Sequence, residues 1–329
     1  MDPRATLEGF AHTRVLVVGD IMLDAYLWGR VDRISPEAPV PVVQVTERSE
    51  RLGGAANVVL NLHALGADTT LVSMVGDDAA ADSIERLMRE KQLTIEGILR
   101  STSRRTTVKT RIISAHQHVV RVDEEMESDI SLAEEVQLLE RVKEAIDRIG
   151  PGVVILEDYN KGVLTERVIR GVIAAAKAKG IPVAVDPKHR NFFSYVGVDL
   201  FKPNLKELRE GLKVVIDAAD IRSVREAVHL LEGRLENRIS LITLSEHGMY
   251  AHDASGEHVL PAYDRVVADV SGAGDTVIAV ASLCLSLGLP LGTLATWANL
   301  AGGLVCEQVG VVPIDKDRLL EEALRTART

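Results

Sequence analysis

With 329 residues, 46% of them hydrophobic, the chain is long enough for a large buried core and too apolar for the disordered class. A net charge of −10 and an aromatic content of 3% argue against nucleic acid as a main partner, while an anionic small molecule stays open because local cations override net charge. There are two cysteines, Cys284 and Cys306, no apolar run of membrane-spanning length, and no basic-then-apolar leader after Met1-Asp2-Pro3-Arg4, so the expectation is a cytoplasmic protein without disulfides, cysteine-bound zinc or membrane contact.

Val15-Leu-Val-Val-Gly19-Asp20 reads as a buried first strand with a carboxylate at its C-terminal end, where ligands gather in parallel sheets. Asp24, four residues on, reads as a turn residue. Tyr26-Leu-Trp-Gly29 and Val40-Pro-Val-Val-Gln-Val45 read as short edge strands around a proline-rich segment, a small β excursion from the core. Gly53-Gly-Ala-Ala-Asn57 opens an amphipathic stretch to Leu65. A strand over 70–75, a helix over 79–91 and a strand over 95–99 follow. Alternation over 104–123 predicts a hairpin with Lys109 and Arg111 on one face, either a solvated edge or a cationic lining. Ser131 with Glu134 marks a capping box opening a helix to 149.

The second half alternates strands and helices. Val153-Val-Ile-Leu156 ends in Glu157-Asp158 with Lys161 nearby, and Pro182-Val-Ala-Val-Asp186 ends in Asp186-Pro-Lys188. A helix over 165–179 stops at Gly180, and Leu200-Phe-Lys-Pro-Asn204 feeds a helix carrying Glu207. A strand over 239–244 closes in Ser245-Glu-His-Gly248, and a hairpin pairs 249–251 with 258–260. Asp269-Val-Ser-Gly-Ala-Gly-Asp275 then runs straight into an apolar helix. Its glycines and the helix N-terminus make a nest of N–H groups for an anion. Asp275 sits inside that nest, a costly neighbour for a phosphate unless it takes a proton there. Helices over 290–306 and 315–327 complete the chain. The alternation predicts one α/β domain over 1–329, a mostly parallel sheet with helices on both faces, plus a β lid in two pieces, 21–47 and 101–124. No P-loop, dinucleotide fingerprint or Gly-x-Ser-x-Gly elbow occurs, and His116 and His118 form an i, i+2 pair without metal-ligand spacing.

Asp269-Val-Ser-Gly-Ala-Gly-Asp275 resembles the C-terminal signature of the ribokinase-like (PfkB) carbohydrate kinases, with Val270 in place of the usual Thr. Gly53-Gly-Ala-Ala-Asn57, with Gly66 and Gly76 beyond it, resembles their N-terminal signature. The two occur in the family's order, and the likeness spans the chain. Asp32-Arg-Ile-Ser-Pro-Glu-Ala-Pro-Val-Pro41, Asp158-Tyr-Asn-Lys-Gly162, Asp186-Pro-Lys188 and the Lys109/Arg111/Arg121 hairpin look like the branch that phosphorylates D-glycero-β-D-manno-heptose 7-phosphate. That branch exists alone or fused to an adenylyltransferase. No His-x-Gly-His motif occurs here, so the resemblance implies the stand-alone form.

The resemblance implies transfer of the γ-phosphoryl of ATP to the sugar's 1-hydroxyl, with Mg²⁺, in ADP-heptose and lipopolysaccharide core synthesis. Asp275 would be the base, and Gly272, Ala273 and Gly274 the anion hole. Asn204 and Glu207 would organise Mg²⁺, partly through water. Asn204, Ser245, Gly248 and Asn299 would line the nucleotide. Asp20, Gly54, Asn57 and Asp158 would hold sugar hydroxyls. A monovalent cation, K⁺, would sit beside Asp269 and Ser271. Lys109 and Arg111, with Arg104 and Arg105 as alternatives, would meet the 7-phosphate. Lys161 and Lys188 would bind phosphate or pair with nearby acids, and Asp186 would be a further substrate-binding residue. Apolar lid faces, Leu27 and Trp28 included, imply a homodimer through the lid. Another sugar kinase of this fold, or a regulator that has lost catalysis, stays open here.

Overall fold

In the computed structural model of the chain, the described residues are 2–115, 117–263 and 265–327. Among them the main sheet has nine strands. In spatial order β5 (Ile98–Ser101), β4 (Asp68–Gly76), β1 (Arg14–Gly19), β8 (Val153–Glu157), β9 (Val183–Asp186), β10 (Leu200–Phe201) and β11 (Ile239–Thr243) run parallel. The hairpin of β12 (Met249–Asp253) and β13 (Gly256–Leu260) continues the sheet antiparallel.

Each central strand is apolar on both sides because both faces are covered. Val15 and Val17 of β1 pack into one core, Leu16 and Val18 into the other. The first core takes α1 (Pro3–Ala11), α2 (Ala55–Ala64), α3 (Ala79–Glu90), α8 (Ala273–Ser286), α9 (Leu291–Val305) and α10 (Lys316–Thr326). The second takes α4 (Leu132–Ile149), α5 (Glu166–Lys177), α6 (Leu205–Leu212) and α7 (Ile221–Leu235). The Ser131–Glu134 capping box of α4 is present, and Gly180 adopts φ +67° just beyond α5. The helices α1 and α7 go beyond the sequence expectations. Yet α7 carries a legible stripe, with Val224, Ala227, Val228, Leu231 and Leu235 all buried.

Four further strands form a second sheet where the lid was expected, and it is termed the lid: β2 (Ile21–Ile34), β3 (Pro41–Gly54), β6 (Thr107–Ser114) and β7 (Gln117–Glu124), in the order β3-β2-β6-β7. The expected bounds of 21–47 and 101–124 are corrected. The first piece runs on through Gly54 without a break into α2, and residue 101 belongs to β5 of the main sheet. Asp24 is corrected too: it lies within β2, 2% exposed, not in a turn. In the main sheet β1 has β8 on one side and β4 on the other, so strand order reverses there. A crevice opens outside the strand ends at such a point.

Candidate active site

The start of α8 lies against β8 and β9, with Asp186 Oδ2 3.5 Å from where a Cβ on Gly274 would stand. Gly272 caps α8 at φ +80°, a conformation that disfavours any side chain, and a Cβ there would stand 2.8 Å from Asn57 Nδ2. The first helical turn then presents N–H groups that have no acceptor within the helix. Ala273 is partly occupied, since its N–H donates to the Val270 carbonyl at 3.3 Å. Asp275 lies in this turn, 3% exposed. Asn57 Nδ2 donates to its Oδ2 at 2.6 Å and the Tyr159 hydroxyl to its Oδ1 at 2.7 Å. Burial pushes the Asp275 carboxyl up to about 6, and the two hydrogen bonds hold it from rising further. A carboxylate so poised suits proton transfer near neutrality.

The residues proposed from sequence for the sugar lie near one another, and several of their carboxylates and amides are hydrogen-bonded within the protein. Asp20, 1% exposed, accepts from the backbone N–H groups of Tyr159, Lys161 and Val163. These bonds shape the loop after β8 and leave the Asp20 carboxylate, with three backbone donors on two oxygens, acceptor capacity for a ligand hydroxyl. Asp158 accepts from Asn160 N–H and the Tyr195 hydroxyl, each at 2.7 Å, and burial pushes it up to about 7. Asn57 spends its amide N–H on Asp275. Its neighbour Asn61 was not singled out by sequence. Asn61 Nδ2 donates to the Asn57 carbonyl, and its Oδ1 accepts from Thr276 Oγ1 and Ile314 N–H. Gly54 takes φ +60°, and a Cβ there would meet the Asp20 carbonyl at 2.4 Å.

Beside the nest lie acids and lysines at the ends of β8, β9 and β10. Lys202, also missed by sequence, is 2% exposed and pairs with Asp186 at 2.8 Å. Lys188 pairs with Glu207 and stands 5.0 Å over the Tyr159 ring. Glu157 is fully buried, and among the described residues neither of its carboxylate oxygens has a hydrogen-bond partner. Burial and the nearby Asp186 and Asp275 push its carboxyl well above the ordinary range. Asn204 and Glu207 form a capping box at the start of α6, where Glu207 also accepts from the Asn204 N–H at 2.9 Å.

On the far side, Ser245 and Gly248 flank a tight turn before β12. A Cβ on Gly248 would meet the Leu260 carbonyl at 2.1 Å, and Asn299 donates to the adjoining Pro261 carbonyl at 2.9 Å, so these three residues border one segment. Asp269 accepts from both the N–H and hydroxyl of Ser271 at 2.9 Å, and from Gly310 N–H.

The lid cations are internally balanced. Arg111 pairs with Asp24 and faces the Tyr26 ring. Lys109 lies 3.6 Å from Glu125, and Lys161 lies 2.9 Å from the same carboxylate oxygen. Arg104 donates to the Lys161 carbonyl, while Arg105 and Arg121 are exposed. His118 is exposed, and His116 lies outside the described residues.

Residues 12–317 match the pattern of the pfkB family carbohydrate kinase. The chain is 42% identical over 325 residues to the Bifunctional protein HldE of Syntrophotalea carbinolica, covering 97% of this chain and 65% of that protein. It is 43% identical over 309 residues to the Bifunctional protein HldE of Methylobacillus flagellatus, covering 94% and 62%. The chain thus spans less than two thirds of the length of these curated relatives. Among solved structures, phosphofructokinase-2 of Escherichia coli in complex with potassium superposes with a TM-score of 0.80 at 19% identity, covering 96% of this chain and all of that one. Ribokinase of Arabidopsis thaliana complexed with ribose and ATP does so with 0.71 at 18%, covering 94% and 99%. These two likenesses establish the ribokinase-like fold.

Proposed function

The chain belongs to the pfkB family of carbohydrate kinases, and from that premise we propose that it moves the γ-phosphoryl of ATP to the 1-hydroxyl of D-glycero-β-D-manno-heptose 7-phosphate. The observation that carries the kinase chemistry is the bond from Asn57 to Asp275, which brings both signature loops onto one buried carboxylate. The likeness to proteins named HldE supports the heptose substrate.

In this reading Asp275 accepts the proton of the sugar 1-hydroxyl as that oxygen bonds to the γ-phosphorus, and the bridging oxygen leaves with ADP. Phosphoryl transfer depends mainly on alignment and charge stabilisation. The N–H groups of Gly272, Gly274 and, less fully, Ala273 would meet the phosphoryl oxygens. Lys202, close to Gly274, adds a buried positive charge. The nearby donors are oxygens, Glu207 and an Asp186 Oδ1 without a hydrogen-bond partner among the described residues, and such a set suits hydrated Mg²⁺. Mg²⁺ would neutralise phosphate charge there. Ser245, Gly248 and Asn299 would border the nucleotide, and Asp269 with Ser271 would hold a monovalent cation. The 7-phosphate would meet Lys109, Arg111 and Lys161, displacing their acid partners. A cytoplasmic setting follows from the use of ATP. Exposed lid residues Ile34, Val120 and Val122 support a homodimer in which a second lid covers them.

An assay of ADP release over a panel of heptose 7-phosphate, fructose 6-phosphate, fructose and ribose tests the substrate. The heptose phosphate is expected to give the highest kcat/KM. A higher value for any other member would replace it.

A further inference from the structure

On the face of the sheet opposite α8, α7 and β12 bring together His229, Glu232 and His252. Met249 and Ala251 of β12 pack on the α8 side, and Tyr250 on the α7 side, so alternation sends His252 toward α7. His229 and Glu232 are three apart on α7 and share one side of it. One potential ligand atom from each of the three residues lies within 4.8 Å of the others. His252 Nδ1 is 2.9 Å from Glu232 Oε1, and His229 Nδ1 is 3.7 Å from Glu232 Oε2. Ligand atoms about 2.1 Å from a tetrahedral ion stand about 3.4 Å apart, and these two separations straddle that spacing. The two imidazoles meet edge to face with centroids 5.0 Å apart, which leaves both Nδ1 atoms on the Glu232 side.

The carboxylate is also anchored from behind. Ser240 Oγ donates to Glu232 Oε1 at 2.8 Å, and Asn237 Nδ2 donates to Ser240 Oγ at 2.9 Å. Such outer contacts orient a metal-binding carboxylate. The neighbouring Arg225 is spent on Glu257 and so adds little repulsion to a cation. None of these residues belongs to the crevice.

The geometry points to a site for one borderline transition-metal ion, Zn²⁺ being the type, ligated by His229, Glu232 and His252 and completed by water. Two imidazoles and a carboxylate select such an ion over Mg²⁺, which prefers oxygen. The bound ion ties α7 to the antiparallel edge of the sheet, so it stabilises the fold and takes no part in phosphoryl transfer.

The full chain, freed of any polyhistidine tag, is titrated with Zn²⁺ in competition with a chromophoric chelator, with and without excess Mg²⁺. One Zn²⁺ per chain is expected, undisturbed by Mg²⁺. His229→Gln alters an exposed side chain, leaves folding intact and is expected to weaken binding by roughly tenfold or more. His252→Gln should do the same, and His12→Gln, an exposed histidine elsewhere, should not. Zn²⁺ should raise the melting temperature of the wild type but not that of His229→Gln. Wild-type affinity in His229→Gln, displacement of Zn²⁺ by Mg²⁺, or no stoichiometric uptake overturns the site.

Discussion

Two groups of charged residues are held in different ways. At the nest, Asp275 is fixed by neutral donors, Asn57 and Tyr159, and keeps its charge available for a proton. Under the lid, Lys109, Arg111 and Lys161 are held by acids, Glu125 and Asp24, which neutralise them. On the proposed function, the first region is preorganised before substrate arrives. On the same proposal the second would exchange partners when a phosphate enters, and exchanging one anion for another costs little because the cations never lose a counter-charge. Preorganisation favours rate, and exchange favours selection.

The largest test of this contrast is Asp275→Asn. It is expected to lower kcat by about 10³-fold while the dissociation constant for ATP holds, and near-normal turnover would remove the base from the scheme. Next comes Tyr159→Phe. Asp275 works when deprotonated, so kcat should fall as pH drops through about 6. The Tyr159 hydrogen bond lowers that value, so its loss should move the acid limb to higher pH. A limb that stays put in kcat–pH profiles would mean the hydroxyl does not tune the base. In the lid, Lys109→Ala should raise KM for the sugar phosphate roughly tenfold, the loss of one charge-assisted contact, with KM for ATP unchanged. Equal KM values for mutant and wild type would take Lys109 out of the phosphate site. The smallest effect is expected from Glu125→Gln, which removes the competing acid and should lower the sugar-phosphate KM by about twofold to fivefold. A raised KM instead would show that Glu125 orders the lysines and does not compete with substrate.

Much of the first region was legible because its chemistry is local. Gly272, Gly274 and Asp275 fall within four positions, and the nest follows from glycine beside a helix start. The partners of Asp275 are another matter. Tyr159 lies 116 positions away and Asn57 218, and only the folded sheet brings them together. Lys202 was hidden inside an apolar strand end, where sequence shows a charge but not the buried Asp186 that balances it. Asp20 looked like a ligand because it closes a strand at the right end. The structure adds three backbone donors that the strand end alone did not reveal. Asp24 looked like a turn residue because its strand belongs to the lid and not to the alternating core series. Arg111 was readable as a cation, yet the acid facing it across β2 and β6 was not, since their pairing is parallel and distant in sequence.

The polar web behind Asp275 also bears on how the chain is made. Asn61 Oδ1 receives Thr276 Oγ1 and the backbone N–H of Ile314, while Asn57, one helical turn before Asn61, holds the base itself. A ribosome delivers Asn57 early and Ile314 late. Until the later segments emerge, these amides have only the local bond from Asn61 to the Asn57 carbonyl, and their partners on α8 and at Ile314 are missing. The Asn57–Asp275 bond therefore has to wait for the last quarter of the chain, and the Ile314 contact that fixes Asn61 behind it comes later still.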